Sequence, residues 1–247
     1  MKESVRDQIV WAAAELSKMY LSFPAKKPHD FKIGIILSDI LPETGEFDCK
    51  MVVHGLLSAL SDDGPSFSGN QIVILGRRDD LSEWVNRKFP GVQIVHEWER
   101  NVKITANLSF IVLLGSAMHL TLIEEQLRGH DMSKTVLMPV LMGISVTRIS
   151  TLLKSTMIIT PNFNSEEEFS GDEKPQNVTW NQADIVKGAS FPDLDLFRAV
   201  SREWCQCNGL DEASLQAILD HIPTTKSAAM ELFQQFNLSR MYSVLLD

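Results

Sequence analysis

The stretch FKIGIILSDILPETG, Phe31 to Gly45, decides the fold. It opens with a short apolar, β-branched run, Phe31 to Leu37, that reads as a buried strand. A dinucleotide-binding protein places a glycine-rich turn just after such a strand, so that backbone N–H groups can approach a pyrophosphate at a helix N-terminus. Here the run is followed by Ser38, Asp39, Ile40, Leu41, Pro42, Glu43 and Thr44 before Gly45 is reached. The loop is long, and Asp39, Glu43 and Glu46 bring negative charge to where a phosphate would sit. The same residues also suit an ordinary strand-to-helix loop, so the fold has to be read from the segments downstream of Gly45.

Outward from that strand the pattern repeats. Gln71–Leu75, Val92–Val95, Leu108–Leu114, Thr135–Leu141 and Met157–Thr160 read as further strands. Pro139 marks an irregularity near the end of the fifth. Between them, Cys49–Leu60, Leu81–Phe89, Leu120–Leu127 and Ile144–Leu153 carry helical spacing, and Glu97–Ala106 suggests a helical turn or two. Strands alternating with helices predict an α/β fold, a Rossmann-like doubly wound parallel sheet joined by right-handed crossovers. Val5–Leu21 predicts a helix before the sheet. After Asn162 a polar, acidic stretch leads to helices at Leu194–Cys207, Asp211–His221 and Thr225–Phe236. The expected organisation is an N-terminal helix and linker over 1–30, the nucleotide-binding domain over 31–163, and an acidic loop with a short C-terminal helical region over 164–247. That last region is expected to pack on the sheet or on a partner chain, and its final helix is either core or a homodimer face.

Composition narrows the function classes. The chain has 247 residues, 44% hydrophobic and 22% charged, enough for one large domain or one domain with a smaller partner. A net charge of −9 argues against general nucleic-acid binding and against an anionic membrane surface. No apolar run approaches the roughly 18–20 residues of a membrane span. The opening MKESVRDQIVW has charges where a secretory signal needs an apolar core. Cys49, Cys205 and Cys207 lack paired zinc-knuckle spacing and read as reduced thiols. The expectation is a cytoplasmic protein without a metal site.

In an open parallel sheet, ligands bind beyond the carboxyl ends of the strands. The first strand delivers Leu37 and Ser38 there. The second delivers Gly76, Arg77 and Arg78. An acid at that position pairs with the ribose hydroxyls of NAD, whereas an arginine accepts the extra phosphate of NADP through its fork of donors. The arginine pair therefore favours NADP, unless it is a solvated surface pair. It also disfavours a methyltransferase, which would want an acid there. The fourth strand delivers Gly115, Ser116 and Ala117, the fifth Gly143, and the sixth Asn162, mostly small residues that leave room for a ligand. Ser116, Ala117 and Gly143 would flank the nicotinamide half. His119 stands near the fourth strand end as a weak candidate proton donor, and a lone histidine is as readily structural.

These residues resemble a family. SFIVLLGSAMHLTLIEEQL from Ser109, KTVLMPVLMGISVTRISTLL from Lys134 and STMIITPNF from Ser155 look like the second half of the nucleotide domain of pyrroline-5-carboxylate reductases. Gly143-Ile144-Ser145 and Thr160-Pro161-Asn162 are the matching turns. ILGRRDDLSEWVNRKFPGVQIVHE from Ile74 fits that family's second strand, helix and third strand. As a divergent relative of that family, the chain resembles the NADP-dependent oxidoreductase domain-containing proteins, and the resemblance spans about residues 31 to 163. A further echo, HIPTTKSAAMELFQQFNLSRM from His221, resembles the segment that helps hold substrate in those reductases. It would make Thr225, beside Pro223 and Thr224, a candidate substrate contact. The resemblance implies NADP-dependent hydride transfer to a small imine or carbonyl substrate. The chain departs from the family in two places: the glycine fingerprint is absent from Ser38 to Gly45, and the segment between Asn162 and Pro223 is short. Both leave room for the alternative, a pseudoenzyme with this fold acting as a scaffold or regulatory module.

Overall fold

The computed structural model describes residues 3–23, 31–37, 49–61, 67–76, 79–95, 108–116, 120–127, 132–142, 144–161 and 192–223. Within these the chain runs α1 (Glu3–Leu21), β1 (Ile33–Leu37), α2 (Cys49–Ser61), β2 (Ile72–Leu75), α3 (Asp79–Lys88), β3 (Gln93–Val95), β4 (Phe110–Ser116), α4 (Leu120–Leu127), β5 (Val136–Met142), α5 (Val146–Leu153), α6 (Leu194–Cys207) and α7 (Glu212–His221). The expected helices at 97–106 and 225–236 lie outside the described residues.

The strands form one five-stranded sheet in the order β3-β2-β1-β4-β5. Every pairing is parallel. The chain builds outward from β1 to one edge, then returns to β4 on the other side of β1. That reversal is the topological switch point of a doubly wound sheet.

The strands are apolar on both sides because both faces are covered. Along β1, Ile33, Ile35 and Leu37 join a cluster with Val53, Leu56 and Leu57 of α2 and Val85 of α3. Ile36 faces the opposite way and joins a second cluster with Leu120, Ile123 and Leu127 of α4 and with Ile149 and Leu153 of α5. The helices of the first half thus lie on one face and those of the second half on the other. In β1 the second face carries Gly34, and the Cβ it lacks would stand 2.6 Å from Leu108 Cδ1. Leu108 packs where that side chain would be.

The first face also receives both ends of the described chain. Trp204 of α6 is fully buried, with its ring centroid 6.0 Å from that of Tyr20, 5.0 Å from Phe23 and 6.3 Å from Phe31. Trp11 of α1 meets Phe197 of α6 at 4.7 Å. Leu215 and Leu219 of α7 belong to the same cluster. Asp193 caps α6 by accepting from the backbone N–H groups of Asp195 and Leu196, and Asp211 caps α7 through Ser214. Helices α6 and α7 are therefore part of the core that the sheet builds.

The segment expected as a sixth strand, Met157–Thr160, makes a single parallel bridge from Ile158 to Leu137. Leu137 N–H donates to Met157 O, and Ile159 N–H donates to Leu137 O, both at 2.8 Å. The next two bonds of this ladder would need N–H groups on residues 139 and 161, and both are prolines. The ladder ends there for want of donors on both segments. The irregularity expected at Pro139 is confined to the outer side of β5: toward β4, the strand continues unbroken through it, with Leu113 paired to Pro139 and Ser116 to Met142. The proline is tolerated because its nitrogen faces the outer side of β5, away from β4.

Candidate functional site

Because all strands are parallel, their carboxyl ends lie along one edge of the sheet, and the sequence-predicted site residues follow those ends. Leu37 closes β1, Gly76 follows β2, and Ser116 closes β4. Register fixes their relative heights. Leu37 pairs with Leu114, so β4 runs two residues further, to Ser116, a step of about 6–7 Å. Gly115 and Ser116 in turn pair with Leu141 and Met142 of β5. The backbone of Ser116 therefore stands above the end of β1, on the β4 side of the switch point.

On the other side of β1, Leu37 and Gly76 meet. Both are buried, and the Cβ that Gly76 lacks would lie 3.4 Å from Leu37 Cβ and 3.7 Å from Leu37 Cδ1. Gly76 N–H donates to Val95 O at 3.2 Å, which ties the end of β2 to the end of β3. At the ends of β1 and β2 an aliphatic side chain thus rests against a residue that has none.

The structure brings Leu37, Gly76 and the backbone of Ser116 to this edge. Ser38, Arg77, Arg78, Ala117, His119, Gly143, Asn162 and Thr225 lie outside the described residues. Residues 38–48 separate the end of β1 from Cys49, where α2 begins. One polar group that the sequence reading did not single out as a site residue is Ser145, the N-cap of α5 after β5. Its Oγ is exposed and accepts from Arg148 N–H at 3.3 Å. A serine just before an apolar helical run is the capping signature that would have found it.

Among the described residues, no group of three or more His, Cys, Asp or Glu side chains could hold a metal ion. The described strand ends, Leu37, Gly76, Val95, Ser116 and Met142, include no titratable side chain. Away from the edge, Cys205 is a free thiol in the core, and burial pushes its pKa up to about 11. Cys207 is free and exposed. Among the described residues, no helix is long and apolar enough to cross a membrane.

Strand order, parallel pairing and the division of helices between the two faces define a Rossmann-like doubly wound α/β protein. Solved structures similar to this chain include pyrroline-5-carboxylate reductases. One, from Coxiella burnetii, is 11% identical over 86% of this chain and 93% of its own, with a TM-score of 0.39. Another, the pyrroline carboxylate reductase of Plasmodium falciparum with NADP bound, is 13% identical over 88% of this chain and 94% of its own, with a TM-score of 0.36. No protein-family model and no curated protein matches the chain.

Proposed function

We propose that the carboxyl edge of the sheet binds NADP and that the protein is an oxidoreductase transferring a hydride to a small imine or carbonyl substrate. The observation that carries this reading is the switch point between β1 and β4, where doubly wound sheets bind their ligands. The side-chain-free residue Gly76 at the end of β2, and the arginine pair that follows it in sequence, add to it. Arg77 and Arg78 would hold the 2′-phosphate by charge-assisted hydrogen bonds. Ser116, Ala117 and Gly143 would flank the nicotinamide half, with Asn162 beyond them. His119 and Thr225 are the candidates for a proton donor and a substrate contact. The bound cofactor would supply the hydride, and the protein would orient it and exclude water.

A second reading is favoured by a separate observation. The described strand ends offer no titratable group, and at the ends of β1 and β2 the side chain of Leu37 rests against Gly76. A scaffold or regulatory module built on this sheet needs neither a proton donor nor an open crevice.

Calorimetric titration with NADPH and NADH, followed by NADPH oxidation in the presence of small cyclic imines, separates the two. The oxidoreductase reading expects saturable NADPH binding that Arg77→Ala abolishes, and turnover. Absence of NADPH binding at millimolar nucleotide overturns it, and binding without turnover of any imine or carbonyl leaves the module.

A further inference from the structure

Dinucleotide-binding sheets place a glycine where the first strand turns into its loop, so that the ligand's pyrophosphate and adenosine half can approach the backbone. In this chain the last residue of β1 is Leu37, and the first glycine after it in sequence is Gly45. Leu37 is 5% exposed and shares the cluster formed with Ile33, Ile35, Val53 and Leu56. Its side chain leans toward the end of β2. The position of the absent Gly76 Cβ lies 3.4 Å from Leu37 Cβ, 3.7 Å from its Cδ1 and 3.8 Å from its carbonyl oxygen. Those distances are van der Waals contact, so leucine on one strand end and glycine on the next fill one volume between them. In a doubly wound sheet, that volume borders the adenosine half of a dinucleotide, because the ribose is recognised at the end of the second strand.

We propose that Leu37, seated against Gly76, is the specificity-determining residue of this edge: it weakens the hold on the adenosine half of a dinucleotide and leaves the nicotinamide half untouched. The inference rests on the reading of the edge as a cofactor site. The two halves of the ligand meet different strand ends. The adenosine half meets β1 and β2, where Leu37 rests against Gly76. The nicotinamide half meets β4 and β5, where Ser116 stands two residues beyond the level of Leu37. A methylene-sized change in an apolar site shifts affinity by about tenfold or more, so trimming Leu37 has a readable effect.

The test is calorimetry on the full chain with NADPH and with reduced nicotinamide mononucleotide, which lacks the adenosine half. Leu37→Ala is expected to tighten NADPH by about tenfold or more and to leave the mononucleotide unchanged. Gly76→Ala adds a methyl at ordinary contact distance from Leu37, so the fold tolerates it; it is expected to weaken NADPH and leave the mononucleotide unchanged. Thermal unfolding of each variant reports whether it is folded. If Leu37→Ala does not fold, Gly76→Ala decides alone. An NADPH affinity that Leu37→Ala leaves within about twofold overturns the inference while the cofactor reading stands. So does an equal change for both ligands. Tightened NADPH binding in Leu37→Ala, with none in the natural chain, supports the inference and overturns the cofactor reading for the natural chain. No NADPH binding in either overturns both.

Discussion

The indole N–H of Trp204 donates to the backbone carbonyl of Lys134 at 3.0 Å, joining α6 to the turn that leads into β5. The rest of the indole is buried among Tyr20, Phe23 and Phe31. One side chain therefore ties the C-terminal helices, the N-terminal helix and the sheet together. Trp204→Ala should lower unfolding stability by about 3–5 kcal/mol, from lost burial and the cavity it leaves. Trp204→Phe keeps much of the ring and loses the donor, and should cost about 1–2 kcal/mol. Urea denaturation followed by circular dichroism measures both. Equal and small losses would show that α6 is not part of the cooperative core.

Glycine substitutions should separate close backbone packing from simple chain flexibility. At Gly69 a Cβ would stand 2.6 Å from Pro90 O and 2.9 Å from both Gly91 C and Val92 N, all backbone atoms that cannot rotate away. Gly69→Ala should therefore destabilise by about 1–3 kcal/mol. Among the described residues, the Cβ that Gly55 lacks, inside α2, would meet only Arg6 Cδ, at 4.0 Å. There Gly55→Ala should stabilise by about 0.4–1 kcal/mol, since it reduces unfolded-chain entropy and favours the helix. Thermal melts of the two variants should move in opposite directions, and a shift of the same sign for both would refute this account.

Much of this architecture can be read from local pattern. Phe31–Leu37, Gln71–Leu75 and Leu108–Leu114 are short, apolar and punctuated, and each falls on a strand to within two residues at either end. Leu120–Leu127 and Leu194–Cys207 are helices over the residues that their periodicity marks. The extent of the sixth strand was harder to foresee. Met157–Thr160 has strand composition, but its pairing is limited by two missing donors, Pro161 just after it and Pro139 on a different segment, and that these two face each other appears only once the register is known. The site was legible only in outline. Strand ends can be counted off from the sequence, which placed Leu37, Gly76 and Ser116 on one edge. That Leu37 leans onto Gly76 could not be read, because it depends on side-chain direction across two strands joined by parallel pairing.

The cysteines of α6 should differ sharply in reactivity. Cys205 is buried, and its pKa is raised to about 11 by desolvation, so the thiolate is scarce at neutral pH. Cys207, two residues on, is exposed. Brief treatment of the native protein with iodoacetamide, followed by peptide mass spectrometry, should find Cys207 modified and Cys205 intact. Cys205 should react only after denaturation. Modification of both at similar rates in the native protein would mean that α6 opens readily from the core.

Stability should fall in acid partly through the cap of α7. The Asp211 carboxylate accepts from the Ser214 backbone N–H at 2.9 Å and from its hydroxyl at 2.7 Å. These bonds hold its pKa below the ordinary 3.8. A carboxylate whose pKa is lower in the folded state than in the unfolded one contributes its stabilisation above the unfolded value, and loses it as pH falls through the folded one. Asp211→Asn retains a side-chain acceptor for the cap but cannot ionise. The variant should therefore melt at a lower temperature than the natural chain at pH values well above 3.8, and the difference should close as the pH falls through that value and below. A melting-temperature difference that stays constant from neutral pH into strong acid would show that ionisation of Asp211 does not support the helix.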